Sequence, residues 1–288
     1  MVLRKDGKSG GWCRGIANSG GFTLNELIVV VAVIALLALV RLPALGYHKA
    51  TGRGFGCLNN LRQLTLGWLM YAEDNQGRVV PNLDGQSILT GTNAWVRGSM
   101  DYYSNNPDNT NTLNLVDARY TPLGPYTKRP ELYRCPEDQS GVRVGGRFYP
   151  RVRSYSMSSA MGRQGPDFWL PTPRYRTFQK LSDIVRPAPG QCWVLMDEHP
   201  DSINDPCFAL AMVEPDNLAP AVIVDYPGSY HQGAVGISFA DGHMEFHRWT
   251  DRRTMPAMRF GGLLPLNVPS PNNRDVLWLS QRTTSKAT

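Results

Sequence analysis

The feature that most constrains this chain is an apolar segment near its N-terminus with a carboxylate at its edge. Fourteen consecutive apolar residues extend from Leu27 to Val40, and Glu26 directly precedes them. A charged side chain beside a membrane-length apolar segment costs roughly 2 to 3 kcal/mol unless another group neutralises it. We therefore expect Glu26 to have a functional partner, and an amine is the simplest one. The segment itself predicts a transmembrane helix.

The residues around this segment resemble the processing signal of prepilins, the precursors of type IV pilins and of type II secretion pseudopilins. The matching residues are Gly21, Phe22, Thr23, Leu24 and Glu26. The resemblance implies that prepilin peptidase cleaves between Gly21 and Phe22, and that the new amine of Phe22 is methylated. It also implies that Glu26 pairs with this amine in a neighbouring subunit during assembly. Asn25 and Arg41 depart from the family pattern, and neither removes the cleavage signal.

A secretory signal peptide and a plain signal anchor are the alternative interpretations of this segment. A signal peptide would be followed by small residues of the Ala-x-Ala type, and no such site follows Val40. Four basic residues precede the segment and three follow it within reach of the positive-inside count, at Arg41, Lys49 and Arg53, so charge alone favours a cytoplasmic leader only narrowly. Together with the cleavage motif it predicts a single-pass protein of the inner (cytoplasmic) membrane. The remainder would lie on the periplasmic or extracytoplasmic side.

Charge and motif content argue against two other functional classes. The formal net charge is +6, and loss of residues 1–21 would remove four basic residues and one acidic residue, which leaves +3. A surplus this small does not indicate a nucleic-acid partner, which requires clustered Lys and Arg. The chain has no G-x-S-x-G, H-E-x-x-H or Walker motif. We therefore predict that it is not an enzyme and does not bind nucleic acid.

Four cysteines lie outside the predicted leader. They are Cys57, Cys135, Cys192 and Cys207. An even number in a portion that faces an oxidising compartment predicts disulfides, and three pairings are possible. We favour Cys57 with Cys135 and Cys192 with Cys207, because the second pair closes a short loop between two predicted strands. Buried thiols and a zinc site are the alternatives, although no C-x-x-C or His pair lies beside any of these cysteines.

An amphipathic helix follows the apolar segment, because apolar and small residues recur there at spacings of three and four. The stripe consists of Leu58, Leu61, Leu64, Thr65, Trp68, Leu69 and Ala72. Glycines at 46, 52, 54 and 56 separate it from the apolar segment and predict a weak joint. The chain is thus predicted to contain a leader at 1–21, a transmembrane and assembly helix at 22–75, and a globular head at 76–288.

The head has 213 residues, which is enough for one sizeable core. Short apolar or alternating runs between Gly, Pro and Asn clusters predict its strands. These runs are residues 94–100, 153–157, 192–197, 208–213, 221–224 and 234–249. We predict an α+β fold in which a long, hydrophobic, pilin-like N-terminal helix packs on a mainly antiparallel β-sheet head.

An H-x9-D-G motif lies near the C-terminus and is formed by His231, Asp241 and Gly242. It resembles a signature of prepilin-like proteins of the planctomycete and verrucomicrobial type, and residues 57–77 and 134–138 resemble other recurrent segments of that group. Physically, the residues around Asp241 and Gly242 fit a β-hairpin, because both residue types tolerate the backbone conformations of a tight turn.

Two further sets of residues are candidates for metal binding. In the second strand of the hairpin, His243, Glu245 and His247 share one face with His231 and Asp241 nearby, and this pattern fits a divalent metal. The alternative is a strand that keeps Met244 and Phe246 in the core and shows its polar face to water.

The second set is an acidic loop with five oxygen donors within nine positions. The donors are Asp197, Glu198, Asp201, Asn204 and Asp205. Calcium prefers such flexible oxygen-rich loops, so this is a candidate structural calcium site and the one candidate cofactor. The alternative is a solvated turn in which Asp and Asn cap the local backbone.

These observations favour a structural subunit of a type II secretion or type IV pilus-like assembly. Its expected partners are prepilin peptidase, other pilin-like subunits in a homo- or heteropolymer, and the inner membrane. The alternative is a membrane-anchored extracytoplasmic binding module that is exported by the pilin route. Such a module would recognise a carbohydrate or another ligand through exposed aromatic side chains. The candidates are Trp95, Trp169, Tyr102 and Tyr103.

Overall fold

The computed structural model describes most of the chain outside the predicted leader. The described residues are 23–83, 94–163, 169–170 and 174–287. The leader at 1–21 and the predicted cleavage site between Gly21 and Phe22 lie outside them. Contacts divide the chain into two compact units, Met1–Lys49 and Ala50–Thr288. The second unit contains all the strands of the described residues and both large hydrophobic clusters.

A single long helix, α1, runs from Leu24 to Asp74. It continues through the glycines at 52, 54 and 56, so the predicted joint is not a break in the helix. Gly56 instead allows a close contact, because a Cβ built there would lie 3.1 Å from Cγ of Pro136. The predicted amphipathic stripe is confirmed. Its fully buried members are Leu61, Leu64, Thr65, Trp68 and Ala72.

None of the helices in the described part of the chain is both long enough and apolar enough to cross a membrane. The predicted transmembrane helix at 22–75 is therefore wrong, and so are the pilin-like membrane helix and the single-pass inner-membrane placement derived from it. The apolar run from Leu27 to Val40 would form a helix about 21 Å long, whereas a bilayer has a hydrocarbon core of about 30 Å. Glu26 and Arg41 bound this run on its two sides.

In the described part of the chain, short strands form three sheets. They are β1 (Gly141–Val144), β2 (Arg147–Pro150), β3 (Tyr155–Ser158), β4 (Trp193–Asp197), β5 (Cys207–Phe208), β6 (Val222–Ile223), β7 (Ala234–Phe239), β8 (Met244–Arg248) and β9 (Val268–Pro269). The largest sheet has the order β5-β3-β4-β7-β8, and β1-β2 and β6-β9 form two-stranded sheets. Strands β3 and β5 pair in parallel, while the other pairs of the large sheet are antiparallel. The fold is α+β, and the sheets are mainly antiparallel as predicted, with β3–β5 as a parallel pair in the large sheet.

The predicted hairpin near the C-terminus is confirmed. Strands β7 and β8 pair from Ala234 with Arg248 to Ser238 with Met244. Gly242 takes a positive φ of 93° in the turn between them. The other predicted strands are only partly confirmed. Residues 94–100 form no strand, because the amide of Trp95 donates to Pro81 and later amides donate to carbonyls in other segments.

The three central strands of the large sheet are covered on both faces, whereas the edge strand β8 is partly exposed. Every residue of β3, β4 and β7 is buried, as expected for strands between two layers. One hydrophobic cluster joins α1 to β3 and β4, and a second joins β4 and β7 to a C-terminal helix, Arg274–Thr283. Among the described residues before β1, two one-turn helices are α2 (Leu113–Val116) and α3 (Gly124–Thr127), and the C-terminal helix is therefore called α4.

Candidate metal centre

Four side chains with metal-binding chemistry converge inside the second unit, although they are far apart in the sequence. Cys57 lies on α1, and Cys135 follows a short 3-10 turn at Pro130–Tyr133. Asp197 is the last residue of β4, and His231 lies three residues before β7. One ligand atom from each of the four lies within 4.8 Å of all the others.

The individual distances are those of direct contacts. The Asp197 Oδ2 atom is 3.2 Å from Nε2 of His231 and 3.3 Å from Sγ of Cys57. The same Nε2 atom is 3.5 Å from Sγ of Cys135. Both cysteines and Asp197 are fully buried, and 8% of the His231 side chain is exposed. The cluster is thus a compact set of two sulfurs, one nitrogen and one oxygen.

Burial and contacts within the cluster shift the pKa values of Cys57 and His231. Burial raises the pKa of the Cys57 thiol well above its ordinary value, and the neighbouring Asp197 charge acts in the same direction. For His231 burial acts to lower the pKa, but hydrogen bonds to Asp197 and Cys135 outweigh it and raise the pKa to about 10. In this state the Cys57 thiol donates to the Asp197 carboxylate, and His231 forms a buried ion pair with it.

A second layer of contacts fixes the cluster in place. The amide of Gly236 on β7 donates to Asp197 Oδ2 at 2.9 Å, and the hydroxyl of Tyr155 on β3 donates to Cys57 Sγ at 3.4 Å. A Cβ built on Gly236 would lie 2.9 Å from the Cys57 sulfur, so only glycine fits at this position without a shift. The amide of Cys135 donates to the Ser154 hydroxyl at 3.2 Å.

Such a cluster is suited to hold an ion. Two thiols, an imidazole and a carboxylate are the side chains that bind zinc in proteins. Because three of the four residues are fully buried, little space is left for a substrate to approach them. The arrangement therefore favours a structural role over turnover of a substrate.

The sequence had singled out all four residues, but in three different roles. Cys57 and Cys135 were predicted disulfide partners, Asp197 a calcium ligand, and His231 part of the H-x9-D-G motif. The structure has Cys57, Cys135 and Cys192 as free thiols, so neither of the two predicted disulfides is formed. The Cys192 thiol instead donates to the carbonyl of Thr283. No local spacing pattern such as C-x-x-C signals the cluster, because its members come from separate elements.

The side chains predicted to bind calcium have different hydrogen-bond partners in the fold. Asp197 belongs to the cluster above, whereas Glu198 accepts hydrogen bonds from the hydroxyls of Ser156 and Ser202. Asp201 accepts the Tyr102 hydroxyl at 2.8 Å and two backbone amides. Of the remaining two, Asp205 is buried and Asn204 is partly exposed. A calcium site in this loop stays a prediction.

His243 and His247, predicted to bind a metal together with His231, contact other residues instead. His243 lies against Asp241, with 2.6 Å between Nδ1 and Oδ1, and His247 stacks on Trp278 with 3.6 Å between ring centroids. The ring of His231 contacts Phe246 on the opposite face of the strand, at 4.6 Å between centroids. Phe246 is itself 39% exposed, so it is not a core residue as the amphipathic-strand alternative had it.

The aromatic residues proposed for a ligand-binding head do not form one exposed surface. Trp95 is fully buried and stacks on Tyr133. Tyr102 is partly buried and its hydroxyl donates a hydrogen bond to Asp201, whereas Tyr103 is largely exposed.

The predicted assembly residue Glu26 lies in the first turn of α1 and is exposed. The amide and the hydroxyl of Thr23 each donate to Glu26 Oε2 at 2.8 Å, and the amide of Glu26 donates back to the Thr23 hydroxyl. This is a capping box, which satisfies amides at the start of the helix. Hydrogen bonds from Thr23 lower the pKa of Glu26, so it is a carboxylate at neutral pH.

Comparisons of the chain with protein-family models, with curated proteins and with solved structures found no match. The function is therefore argued from the residues themselves.

Proposed function

We propose that this chain is a non-enzymatic structural subunit of a pilus-like or type II secretion-like assembly, and that prepilin peptidase processes it at Gly21. The observation that carries this proposal is the exposed apolar surface at the start of α1. Seven apolar side chains there are 44 to 72% exposed. They are Leu24, Leu27, Ile28, Val29, Val30, Val31 and Val33.

Such a surface is expected to be covered in the working protein. Contiguous apolar patches of this kind mark interaction sites, and full burial of one such side chain contributes about 1.5 to 3 kcal/mol. The segment from Leu24 to Val33 belongs to the first compact unit and lies outside the core of the head. Packing of this segment against the same segment of other copies would supply most of the assembly energy.

Glu26 would set the register of that packing. Its bonds with Thr23 use Oε2, so Oε1 is available to the amine of a processed Phe22 in an adjacent copy. An ion pair inside an apolar interface favours one alignment, because any other alignment leaves a charge buried without a partner. The apolar surface thus supplies affinity, and the carboxylate supplies specificity.

The test is a Glu26→Ala change in the full chain, produced in the native host. We expect processing to continue, because the cleavage site is intact, and we expect assemblies recovered by shearing and sedimentation to be lost. N-terminal sequencing reports the processing, and electron microscopy of the sedimented fraction reports the assembly.

Glu73→Ala is the matched control, since Glu73 is an exposed carboxylate at the other end of the same helix. It should be processed and assembled normally. A Gly21→Leu variant should keep its leader and calibrate the processing assay. Assemblies of normal length and number in the Glu26→Ala strain would contradict the proposed role.

A further inference from the structure

We propose that Cys57, Cys135, Asp197 and His231 bind one Zn²⁺ ion in a closed, four-coordinate structural site. The four residues lie in the second unit, Ala50–Thr288, and the proposal does not depend on the role in assembly. It is carried by four independent features of the cluster, which are its distances, its donor chemistry, its charge and its supporting contacts.

Three of the six distances between the candidate ligand atoms are close to the edges of a tetrahedron around zinc, and all six are within 4.8 Å. Zinc bonds are about 2.3 Å long to sulfur and about 2.0 to 2.1 Å long to nitrogen or oxygen. In a tetrahedral site these bond lengths place a sulfur about 3.5 Å from a nitrogen or an oxygen ligand, and a nitrogen about 3.3 Å from an oxygen ligand. The Cys135 sulfur and the His231 nitrogen are 3.5 Å apart. The His231 nitrogen and the Asp197 oxygen are 3.2 Å apart, and that oxygen is 3.3 Å from the Cys57 sulfur.

The donor set selects the metal class. Thiolate and imidazole ligands suit zinc, whereas calcium and magnesium take oxygen ligands almost alone. Four protein ligands complete the tetrahedron and leave no position for water or substrate, as in structural zinc sites. The burial of both cysteines and Asp197 agrees with such a closed site.

The charge of the bound state is nearly balanced. Two thiolates and one carboxylate carry three negative charges, and Zn²⁺ neutralises two of them while His231 binds as a neutral imidazole. The Gly236 amide and the Tyr155 hydroxyl donate to ligand atoms and stabilise the remaining charge. Binding would displace the protons of the two thiols and of His231, since metal ligands must be deprotonated.

The ion would connect elements that are otherwise distant in sequence. It would tie α1 through Cys57 to the end of β4 through Asp197, and to the segments that hold Cys135 and His231. Because the cluster cannot exist in the unfolded chain, the free energy of binding would contribute directly to folding. The zinc would therefore act as a buried cross-link between α1 and the sheet.

Metal content of the full chain is the first test. After purification without chelators and dialysis against metal-free buffer, we expect about one zinc per chain by elemental mass spectrometry. The Cys135→Ser and His231→Gln variants should each bind zinc at least about 10-fold more weakly in competition with a chromophoric chelator. Cys192→Ser is the matched control, because it removes a buried thiol outside the cluster and should retain one zinc.

Measurements on the wild-type chain keep the test decisive if the variants fail to fold. Removal of metal by a chelator should lower Tm, and Zn²⁺ should restore it while Mg²⁺ and Ca²⁺ do not. Cobalt in place of zinc should give the visible absorption of tetrahedral, thiolate-bound Co²⁺.

Three results would overturn the proposal. The first is a wild-type chain that contains no zinc and whose Tm does not change when zinc is added. The second is a Cys57–Cys135 disulfide, seen as an intact mass lower by two hydrogens. The third is loss of zinc from Cys192→Ser to the same extent as from Cys135→Ser.

Discussion

Gly236 lies where β7 passes both α1 and the end of β4. A Cβ at this position would be 2.9 Å from Cys57 Sγ and 3.0 Å from Asp197 Oδ2. We expect Gly236→Ala to destabilise the protein by about 1 to 3 kcal/mol, because overpacking forces both side chains to shift. Urea denaturation followed by circular dichroism measures the change.

Gly262→Ala is the control for this prediction, because a Cβ there meets nothing within 4 Å. It should change the stability by less than about 0.5 kcal/mol. If Gly236→Ala unfolds at the same urea concentration as the control, the close packing of the cluster is not as described.

The sequence singles out the four residues of the candidate metal cluster, but it does not show that they lie together in the fold. Cys57, Cys135, Asp197 and His231 all stood out as reactive side chains, and each was assigned to a pattern in its own neighbourhood. The cluster arises only when β4 and β7 pair and α1 packs beside them, which is long-range information. The turn residue Gly242 was predictable, because its positive φ is a local requirement.

Individual elements follow local sequence signals where these are strong. The start of α4 is an example, since the Asn273 side chain accepts the amides of Asp275 and Val276 at 2.8 and 3.3 Å. The side-chain nitrogen Nδ2 of Asn273 donates to the hydroxyls of Thr254 and Ser270, so this residue also connects the start of α4 to the segments that contain them.

We expect Asn273→Ala to lower the free energy of unfolding by about 1 to 2 kcal/mol, the range of lost helix caps. Thermal or urea unfolding measures it, with Gln281→Ala on the exposed side of the same helix as the control. Equal stability of the two variants would show that the cap contributes nothing.

Other elements were not predictable from local patterns. The amphipathic stripe of α1 and the β7–β8 hairpin have clear periodicity, and both were predicted correctly. Residues 208–213 are apolar enough for a long strand, yet only Phe208 belongs to β5, which pairs in parallel with β3. Apolar character sets burial here, whereas the available hydrogen-bond partners determine whether a strand forms.

For the whole molecule, we propose that the two ends of α1 have different tasks, since they belong to different compact units. Side chains of α1 between Cys57 and Trp68 belong to the larger hydrophobic cluster of the second unit, whereas side chains between Leu24 and Val33 are apolar and exposed. A fragment of residues 50–288 should therefore keep a cooperative unfolding transition and remain monomeric in sedimentation velocity. The full chain should self-associate under the same conditions. Self-association of the fragment to the same extent would contradict the assignment of assembly to the apolar segment.

We propose that one zinc ion lies where α1 packs against the sheet. X-ray absorption spectroscopy at the zinc edge of the purified full chain tests it most directly. We expect two sulfur ligands at about 2.3 Å and two nitrogen or oxygen ligands at about 2.0 to 2.1 Å. A first shell of oxygen or nitrogen alone, a shell of four sulfurs, or no bound zinc would contradict the claim.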